Sequence, residues 1–216
     1  MKGKELNNLV KTIDTLKIDA VPLSNELMIV DSAHVSMMVI RRVDRLPVFG
    51  VESERVIHLK NLLKLPDSEE FDVRVENGRF VLSNDDHVYS FNLVDEPYNQ
   101  AKVPKMGNLH EVTVPAKRIQ DAVKIIDGVN EHCVIDSDGH IVCMGAVTDA
   151  KIVWSRIGKC DEPFSVMFHF DYVKRISKVL VGDVKMELES DYPTVWTWCD
   201  GSYEYRYLLA PRIECE

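Results

Sequence analysis

The chain has 216 residues, enough to bury the core of one large domain or of two small ones. Its 45% hydrophobic and 28% charged residues are typical of globular proteins, and no apolar run predicts a membrane span or a secretory leader. The net charge of -9 gives no indication of nucleic-acid binding, and five cysteines without a CxxC pair predict free thiols in a reducing compartment.

Four segments have the apolar spacing of an α-helix. In chain order they are Lys4–Leu16, Ile57–Leu65, a segment that starts at Pro115, and Asp171–Leu180. Proline at the third start suits the first turn of a helix. The sequence between these segments predicts short strands bounded by turn residues, for example a hairpin with Asn77-Gly78 at its tip.

The helical segments repeat along the chain. The apolar residues of the first helix lie 113 positions before those of the third, which are Ile119, Ala122, Val123 and Ile126. Leu59 and Leu62 lie 114 positions before Val173 and Ile176. A fixed period indicates a duplicated structural unit. We therefore expect an α+β fold with domains at 1–95 and 112–216, joined by a proline-containing connecting segment at 96–111.

The solvent-facing side of each predicted helix is basic although the protein is acidic. On a helical projection this side and its flanks carry nine cations, of which Lys60 and Lys174 lie on the flanks: Lys4, Lys11, Lys60, Lys64, Lys117, Lys124, Lys174, Arg175 and Lys178. One basic helix face is commonly just solvated. Four such faces in a protein of net charge -9 indicate segregated charge, which suits contact with a phosphate backbone without base readout.

Enzyme and metal-site readings have little support. Asp136-Ser137-Asp138-Gly139 lacks the further ligands of a calcium loop and is typical of a turn between strands. His132, Cys133, His140 and Cys143 would lie on one hairpin without the spacing of a zinc site. The sequence has no glycine-rich phosphate loop. We expect no enzymatic activity, no metal and no cofactor.

Three short motifs stand out in the sequence. Asp31–Met37 reads DSAHVSM, Leu208–Glu214 reads LLAPRIE, and Val103-Pro104 lies in the predicted connecting segment. Together they resemble the proliferating cell nuclear antigen (PCNA) family of DNA sliding clamps, which has a DSSHVS stretch, a similar C-terminal signature and an Ile-Pro pair in the interdomain loop. The duplicated α+β unit agrees with this resemblance over the whole chain.

The resemblance implies a DNA-clamp fold with two helices and antiparallel sheets in each domain, and a homotrimeric ring of pseudo-sixfold symmetry. Helices would line the hole and contact duplex DNA through the nine cations. The strand around His87–Leu93 would pair with the strand around Thr148–Ile157 of the neighbouring subunit. The function implied is that of a processivity factor in DNA replication and repair.

The resemblance also implies a hydrophobic pocket for short peptides of DNA polymerases, ligases, nucleases and the clamp loader. Residue by residue it would use thirteen positions: Val30, His34, Val35, Met37, Val103, Pro104, Pro193, Leu208, Leu209, Ala210, Pro211, Arg212 and Ile213. We expect His34 to lie in a strand as part of the pocket wall, and the apolar tail to have no core of its own to enter.

Two alternatives to the clamp remain. One is a clamp-fold adaptor or decoy that binds clamp-interacting peptides without closing on DNA. The other, a metal-dependent nuclease, has no ligand constellation to support it. The expected location is the cytoplasm, at the nucleoid, in an archaeal host, or the nucleus in a eukaryotic one; the sequence leaves the host open.

Overall fold

The computed structural model describes residues 1–62, 64–96, 98, 102–107, 109–129, 131–137, 141–147, 152–160 and 162–212, with the backbone alone at 141, 147 and 152–154. The chain divides into two compact units. Unit 1 comprises Met1–Val103 and Gly201–Tyr205, and unit 2 comprises Pro104–Asp200 and Arg206–Glu216. The last part of the chain therefore contributes to both units.

Unit 1 consists of one long helix and antiparallel strands. Its elements are α1 (Gly3–Asp14), β1 (Ala20–Leu23), β2 (Glu26–Val30), β3 (Ser36–Arg42), β4 (Ser53–His58), β5 (Asp72–Glu76), β6 (Arg79–Ser83) and β7 (Val88–Val94). One sheet has the order β1-β4-β7-β6-β5, and β2 pairs with β3 apart from it. The predicted hairpin is present, since Asn77 and Gly78 join β5 to β6 with the positive φ angles that such a two-residue turn needs.

The first helix was predicted correctly because its apolar stripe has a core to enter. Leu6, Leu9 and Ile13 are fully or almost fully buried, while Lys4 and Lys11 on the opposite side are exposed. Apolar residues at helical spacing bury one face, and that burial supplies most of the stability of a short helix.

The predicted second helix, Ile57–Leu65, is wrong. Ile57 and His58 end strand β4, and the only helical turn in the described part of this stretch is a 3-10 turn at Leu59–Asn61. Ile57 is paired on both sides, with Val21 and with Leu93. These long-range pairings hold the backbone extended, so the apolar spacing that fits a helix here results from a strand followed by a turn.

Among its described residues, unit 2 contains two helices and antiparallel strands. Its elements are β8 (His110–Pro115), α2 (Ala116–Ile126), β9 (His132–Ser137), β10 (Ile141–Val147), β11 (Ile152–Lys159), β12 (Ser165–His169), α3 (Phe170–Ser177), β13 (Asp183–Leu188), β14 (Thr194–Cys199) and β15 (Tyr203–Leu209), whose first three residues belong to unit 1. Sheet orders are β11-β10-β9-β12 and β15-β14-β13-β8. His110 and Glu111, predicted as the end of the connecting segment, already form part of β8.

The duplication is visible in the strand pairing before each first helix. In unit 1 an isolated antiparallel bridge joins Lys2 to Glu70, and in unit 2 Pro115 pairs with Asp183 between β8 and β13. Both partners are displaced by 113 positions. The same entry into the helix therefore occurs in each unit.

The two strands predicted at the ring interface differ in how open their edges are. β11 is an edge strand of its sheet, as predicted. β7 lies inside its sheet, so the prediction of a complete edge there is wrong, because Leu93 and Val94 pair with β4. On the side of β7 that faces β4, Val88–Asn92 have no strand partner within the described residues, and Val88 is 68% exposed. Most of β7 therefore still presents an open edge.

No helix in the described ranges combines the length and apolar character needed to cross a membrane.

Candidate nucleic-acid and peptide interfaces

The cations predicted for unit 1 meet around one groove. Lys11 on α1, Lys60 on the 3-10 turn and Lys64 just after it line a groove of about 580 Å³. All three are exposed, as is Lys4, which lies two helical turns before Lys11 on α1. Within the described residues none of these four cations forms an ion pair. Their ammonium groups are therefore available to an anionic ligand.

The groove also contains acids and an apolar floor. Asp14, Asp19 and Asp67 contribute carboxylates, and one of them is already engaged, because Asp67 Oδ1 accepts a hydrogen bond from Asn7 Nδ2 at 2.7 Å. Val10 and Leu62 supply half-buried apolar surface. A lysine ammonium stands on a four-carbon stem, whereas an aspartate carboxylate stays near the backbone. An approaching phosphate therefore meets the cations first.

Asn7 fixes the segment around Leu65, which forms the side of this groove opposite α1. Its Nδ2 donates to the Leu65 carbonyl at 2.7 Å, and its Oδ1 accepts from the Leu65 N–H at 3.0 Å. Leu65 itself is buried at 3% exposure. The segment that carries Lys64 is therefore fixed against α1 without being helical.

The cations of α2 have a carboxylate between them. Asp121 Oδ1 contacts Lys117 Nζ and lies 3.8 Å from Lys124 Nζ. The hydrogen bond from Lys117 is the main reason why the pKa of Asp121 is lowered, so this carboxyl stays ionised. The predicted basic face of α2 is therefore partly neutralised by its own helix.

The cations of α3 are also engaged. Lys174 Nζ lies 2.6 Å from Asp127 Oδ1, just beyond the end of α2. Arg175 lies over the ring of Tyr172 at 4.4 Å and donates from Nε to the Asp171 carbonyl at 3.3 Å. Lys178, at the C-terminal cap of α3, is exposed and without a partner among the described residues.

In the DSAHVSM segment an aspartate organises a turn. Asp31 is 5% exposed, and its Oδ1 accepts hydrogen bonds from the N–H groups of Val35 and Ser36, each at 2.8 Å. His34 was predicted in a strand, which is wrong: it is an exposed turn residue with a left-handed φ of 56°. The Asp31 side chain stabilises this turn because it accepts the two backbone N–H groups at the end of the turn and the start of β3.

The other predicted peptide-binding residues of unit 1 flank this turn. Val30 and Met37 are directly paired across β2 and β3. Met37 is buried, whereas Val30 and Val35 are half-buried. Val103, in the connecting segment, is half-buried as well. Within unit 1 the structure therefore brings Val30, Val35 and Met37 together at one turn.

The predicted residues of unit 2 differ in accessibility. Pro104 is exposed and Pro193 half-buried. Leu208 and Leu209 are 4% and 0% exposed inside β15, so the expectation that the apolar tail has no core to enter is wrong for them. A strand that joins a sheet can bury such apolar side chains. The sequence did not indicate a strand here, because a proline follows the leucines in the tail.

Beyond β15 the tail is accessible but held in place. Ala210 and Pro211 are half-buried and Arg212 is exposed. The Arg212 N–H donates to the Met167 carbonyl of β12 at 2.8 Å, and its guanidinium contacts the His132 ring, with Nη1 3.0 Å from Nδ1. Ile213 lies outside the described residues.

The described part of the chain contains no cluster of three or more His, Cys, Asp or Glu side chains placed to hold a metal ion. Cys133, weighed above as a zinc ligand, is fully buried in β9, and burial raises the pKa of its thiol to about 12. His140 lies outside the described residues.

Three contributors to these surfaces were missed at the level of sequence. Asp121 lies three or four residues from two lysines, a spacing that indicates ion pairs on a helix. Asn7 and Gln120 are the other two. They lie 113 positions apart, so the sequence repeat could have identified them as equivalent residues of the two units. Gln120 Nε2 donates to the carbonyls of Ser177 and Leu180, each at 3.1 Å.

Comparison with curated proteins finds archaeal sliding clamps. The chain is 25% identical to the DNA polymerase sliding clamp of Haloarcula marismortui over 235 aligned positions, covering 98% of this chain and 94% of that protein. It is also 25% identical to the clamp of Methanothrix thermoacetophila, covering 94% and 91% of the two chains. No family model matches the sequence.

Solved structures show the same fold. The A. fulgidus PCNA that is bound to the C-terminal region of FEN-1 covers 100% of this chain and 98% of its own, with a TM-score of 0.85 and 18% identity. PCNA from Entamoeba histolytica covers 98% and 96%, with a TM-score of 0.83 and 15% identity. The fold is therefore the DNA-clamp fold, as the sequence predicted.

Among clamp proteins, the chain resembles the PCNA family of archaea and eukaryotes. This resemblance, first inferred from three short motifs, is confirmed by relatives and structures that each cover nearly the whole chain.

Proposed function

We propose that this chain is the subunit of a DNA sliding clamp that encircles duplex DNA and retains replication and repair enzymes on it. The observation that carries the proposal is a basic face on an acidic protein. Lys4 and Lys11 are exposed and form no ion pair among the described residues, and the repeat places exposed Lys117 and Lys124 at the same helix positions of the other unit. Cations without base-reading partners hold a phosphate backbone equally well at every position, which is what sliding requires.

The ring is proposed to be a homotrimer closed by strand pairing between subunits. A heterologous contact closes into a ring when its rotation returns to the start. The open edge of β7 along Val88–Asn92 and the edge strand β11 are the two partners proposed for that contact. Unpaired edges attract pairing, and exposed Val88 adds apolar surface there.

Partner enzymes are proposed to dock by short peptides at the Asp31–Val35 turn, the connecting segment and the tail. Of the predicted docking residues, the accessible apolar ones are Val30, Val35 and Val103 in unit 1 and Pro104, Pro193, Ala210 and Pro211 in unit 2. A tail restrained by proline and by the Arg212 contacts loses little entropy on binding. A complex with the C-terminal region of FEN-1 is known for the A. fulgidus relative.

The encirclement is tested by topology. The assembled protein is loaded with a clamp loader onto nicked circular DNA, and the DNA is then cut once. A clamp stays on the circle through gel filtration at high salt and is released by the cut, since only a closed ring is held topologically. Loss from the circle and the linear form alike, with intact peptide binding, would instead support the adaptor or decoy.

Docking is tested by calorimetry with a synthetic peptide copied from the C-terminal region of A. fulgidus FEN-1. Pro211→Ser should weaken this peptide by about 1–2 kcal/mol, the scale of a lost apolar anchor, and leave the mass of the assembly unchanged. Val75→Ser, at an exposed valine on β5 distant in sequence from all the proposed docking residues, serves as the control. Equal peptide affinity in both variants would exclude the tail from the site.

A further inference from the structure

The two units offer unequal surfaces to an anion, although the sequence repeat gives them similar numbers of cations. In unit 1, Lys4, Lys11, Lys60 and Lys64 are exposed and form no ion pair among the described residues. In unit 2, four of the five cations predicted to contact DNA have a carboxylate, carbonyl or ring partner: Lys117, Lys124, Lys174 and Arg175.

The shape of the two surfaces differs for a related reason. In unit 2, α2 and α3 lie side by side, and Gln120 bonds to the end of α3. In unit 1 the equivalent of α3 is reduced to the 3-10 turn Leu59–Asn61, which leaves the groove that Lys11, Lys60 and Lys64 surround. A groove surrounded by cations can contact a rod of phosphates from several directions at once.

We propose that contact with duplex DNA is concentrated on unit 1, and that Asp121 and Asp127 hold back the cations of unit 2. The inference deepens the proposed function and rests on it. At α2 the Lys117 ammonium is already paired with the Asp121 carboxylate, which also lies 3.8 Å from Lys124 Nζ, so a phosphate must compete with that carboxylate for both lysines. At α3, Lys174 must likewise leave Asp127. The unit 1 lysines need no such exchange.

Unit 2 is not without available cations. Arg118 on α2 and Lys178 after α3 are exposed and have no partner among the described residues. Arg118 follows Lys117 directly and therefore faces another side of the helix. Exposed Ile125, two helical turns further along α2, shares that side. The proposal therefore concerns how much each unit contributes, and it predicts a smaller contribution from unit 2.

The physical consequence of unequal contact is an unequal salt dependence. Each phosphate contact releases condensed counterions and adds about 0.9 to the slope of log affinity against log salt. Removing a lysine that contacts phosphate lowers this slope, whereas removing one held by a carboxylate leaves it nearly unchanged. Two double variants with the same loss of charge therefore separate the units: Lys11→Ala with Lys64→Ala, and Lys117→Ala with Lys124→Ala.

The experiment uses the assembled full-length protein and a short fluorescent linear duplex, whose open ends need no clamp loader. Affinity is measured by fluorescence anisotropy over a series of potassium chloride concentrations. We expect the unit 1 pair to lower the salt slope by about 2 per engaged subunit, and the unit 2 pair to lower it by less than about 0.5. Thermal unfolding and light scattering check that both variants fold and assemble as the parent does.

A third variant tests the carboxylate directly. Asp121→Asn keeps the size of the side chain and removes the charge between the two lysines. We expect tighter DNA binding, by about twofold at low salt, and a steeper salt slope, because Lys117 and Lys124 become available. The same substitution combined with Lys117→Ala and Lys124→Ala should lose this gain.

The outcomes separate this inference from the proposed function. If the parent binds DNA and the two double variants lose slope equally, or if Asp121→Asn binds no better than the parent, contact is shared and the inference is wrong. If the parent itself does not bind the duplex at low salt and is not retained on circular DNA, the proposed function fails and the inference fails with it.

Discussion

Asn7 holds both backbone polar groups of Leu65, donating to its carbonyl at 2.7 Å and accepting from its N–H at 3.0 Å. These two hydrogen bonds fix the segment around Leu65 beside α1, where the sequence had predicted a second helix. Gln120, 113 positions later, makes the related connection from α2 to the end of α3. The duplicated unit has therefore kept a polar tie at this position even where the second helix has shortened.

Replacing Asn7 by Ala should destabilise the protein by about 1–3 kcal/mol, because the buried polar groups of Leu65 lose their partners. Urea unfolding measures the change. Asn8→Ala is the matched control, since Asn8 is an exposed residue of the same helix whose side chain forms no hydrogen bond among the described residues. Equal losses in the two variants would show that the tie contributes nothing.

Asp31→Ala should lower the free energy of unfolding by about 2–3 kcal/mol, because the N–H groups of Val35 and Ser36 lose a buried acceptor. Asp31→Asn should keep most of the stability, since its side-chain oxygen can still accept. Ser32→Ala, one exposed position further, is the control. Chemical denaturation compares the three, and a neutral Asp31→Ala would contradict the role given to this turn.

Asp44 should produce a small loss of stability in acid. The side-chain hydrogen bond from Arg42 is the main cause that lowers the pKa of Asp44 from 3.8 to about 2. A carboxyl with a depressed pKa stabilises the folded state above its unfolded pKa, and this contribution disappears as the pH falls through the folded value. The affected window therefore lies between about pH 4 and pH 2.

The size of this effect is limited by exposure, since the Asp44 side chain is 47% accessible. We expect less than about 1 kcal/mol. Asp44→Asn should lower stability at neutral pH by that amount and flatten the decline in this window, as followed by thermal unfolding at each pH. Asp72→Asn, at an exposed carboxyl of β5, is the control. Parallel pH curves for parent and Asp44→Asn would contradict the assignment.

Val88→Glu should weaken ring assembly without unfolding the subunit. Val88 is 68% exposed at the open part of β7, and three charges placed at the proposed subunit contacts would each have to be desolvated. Val75→Glu makes the same change on β5, at the other edge of that region of the sheet, where Val75 is 38% exposed. Light scattering over a concentration series should show dissociation in the first variant only; a stable trimer in both would exclude β7 from the interface.

Most of the fold could be predicted because local pattern and tertiary packing agree. The stripe of Leu6, Leu9 and Ile13 becomes the buried face of α1, and Asn77-Gly78 becomes the tip of a hairpin. Part of the basic surface followed from the same pattern, because lysines opposite a buried stripe must face solvent. The repeat at 113 positions carried these local inferences into unit 2.

By itself, the sequence determined the duplicated α+β architecture, the exposed positions of the lysines and the motifs that identify the clamp resemblance. These depend on periodicity and on residue type, which are local properties of the chain. The tertiary structure alone decided three points. Ile57 is in a strand because Val21 and Leu93 pair with it from distant parts of the chain, and such pairing overrides an apolar spacing that also fits a helix.

Leu208 and Leu209 are buried because a strand at the chain end can enter a sheet, which composition does not reveal. The lysines of the two units differ in availability because Asp121 and Asp127 lie within reach of some of them and no carboxylate pairs with Lys11 or Lys64 among the described residues. Distances of a few ångströms between charges set electrostatic behaviour, and a sequence places charges along a chain without fixing the distances between them.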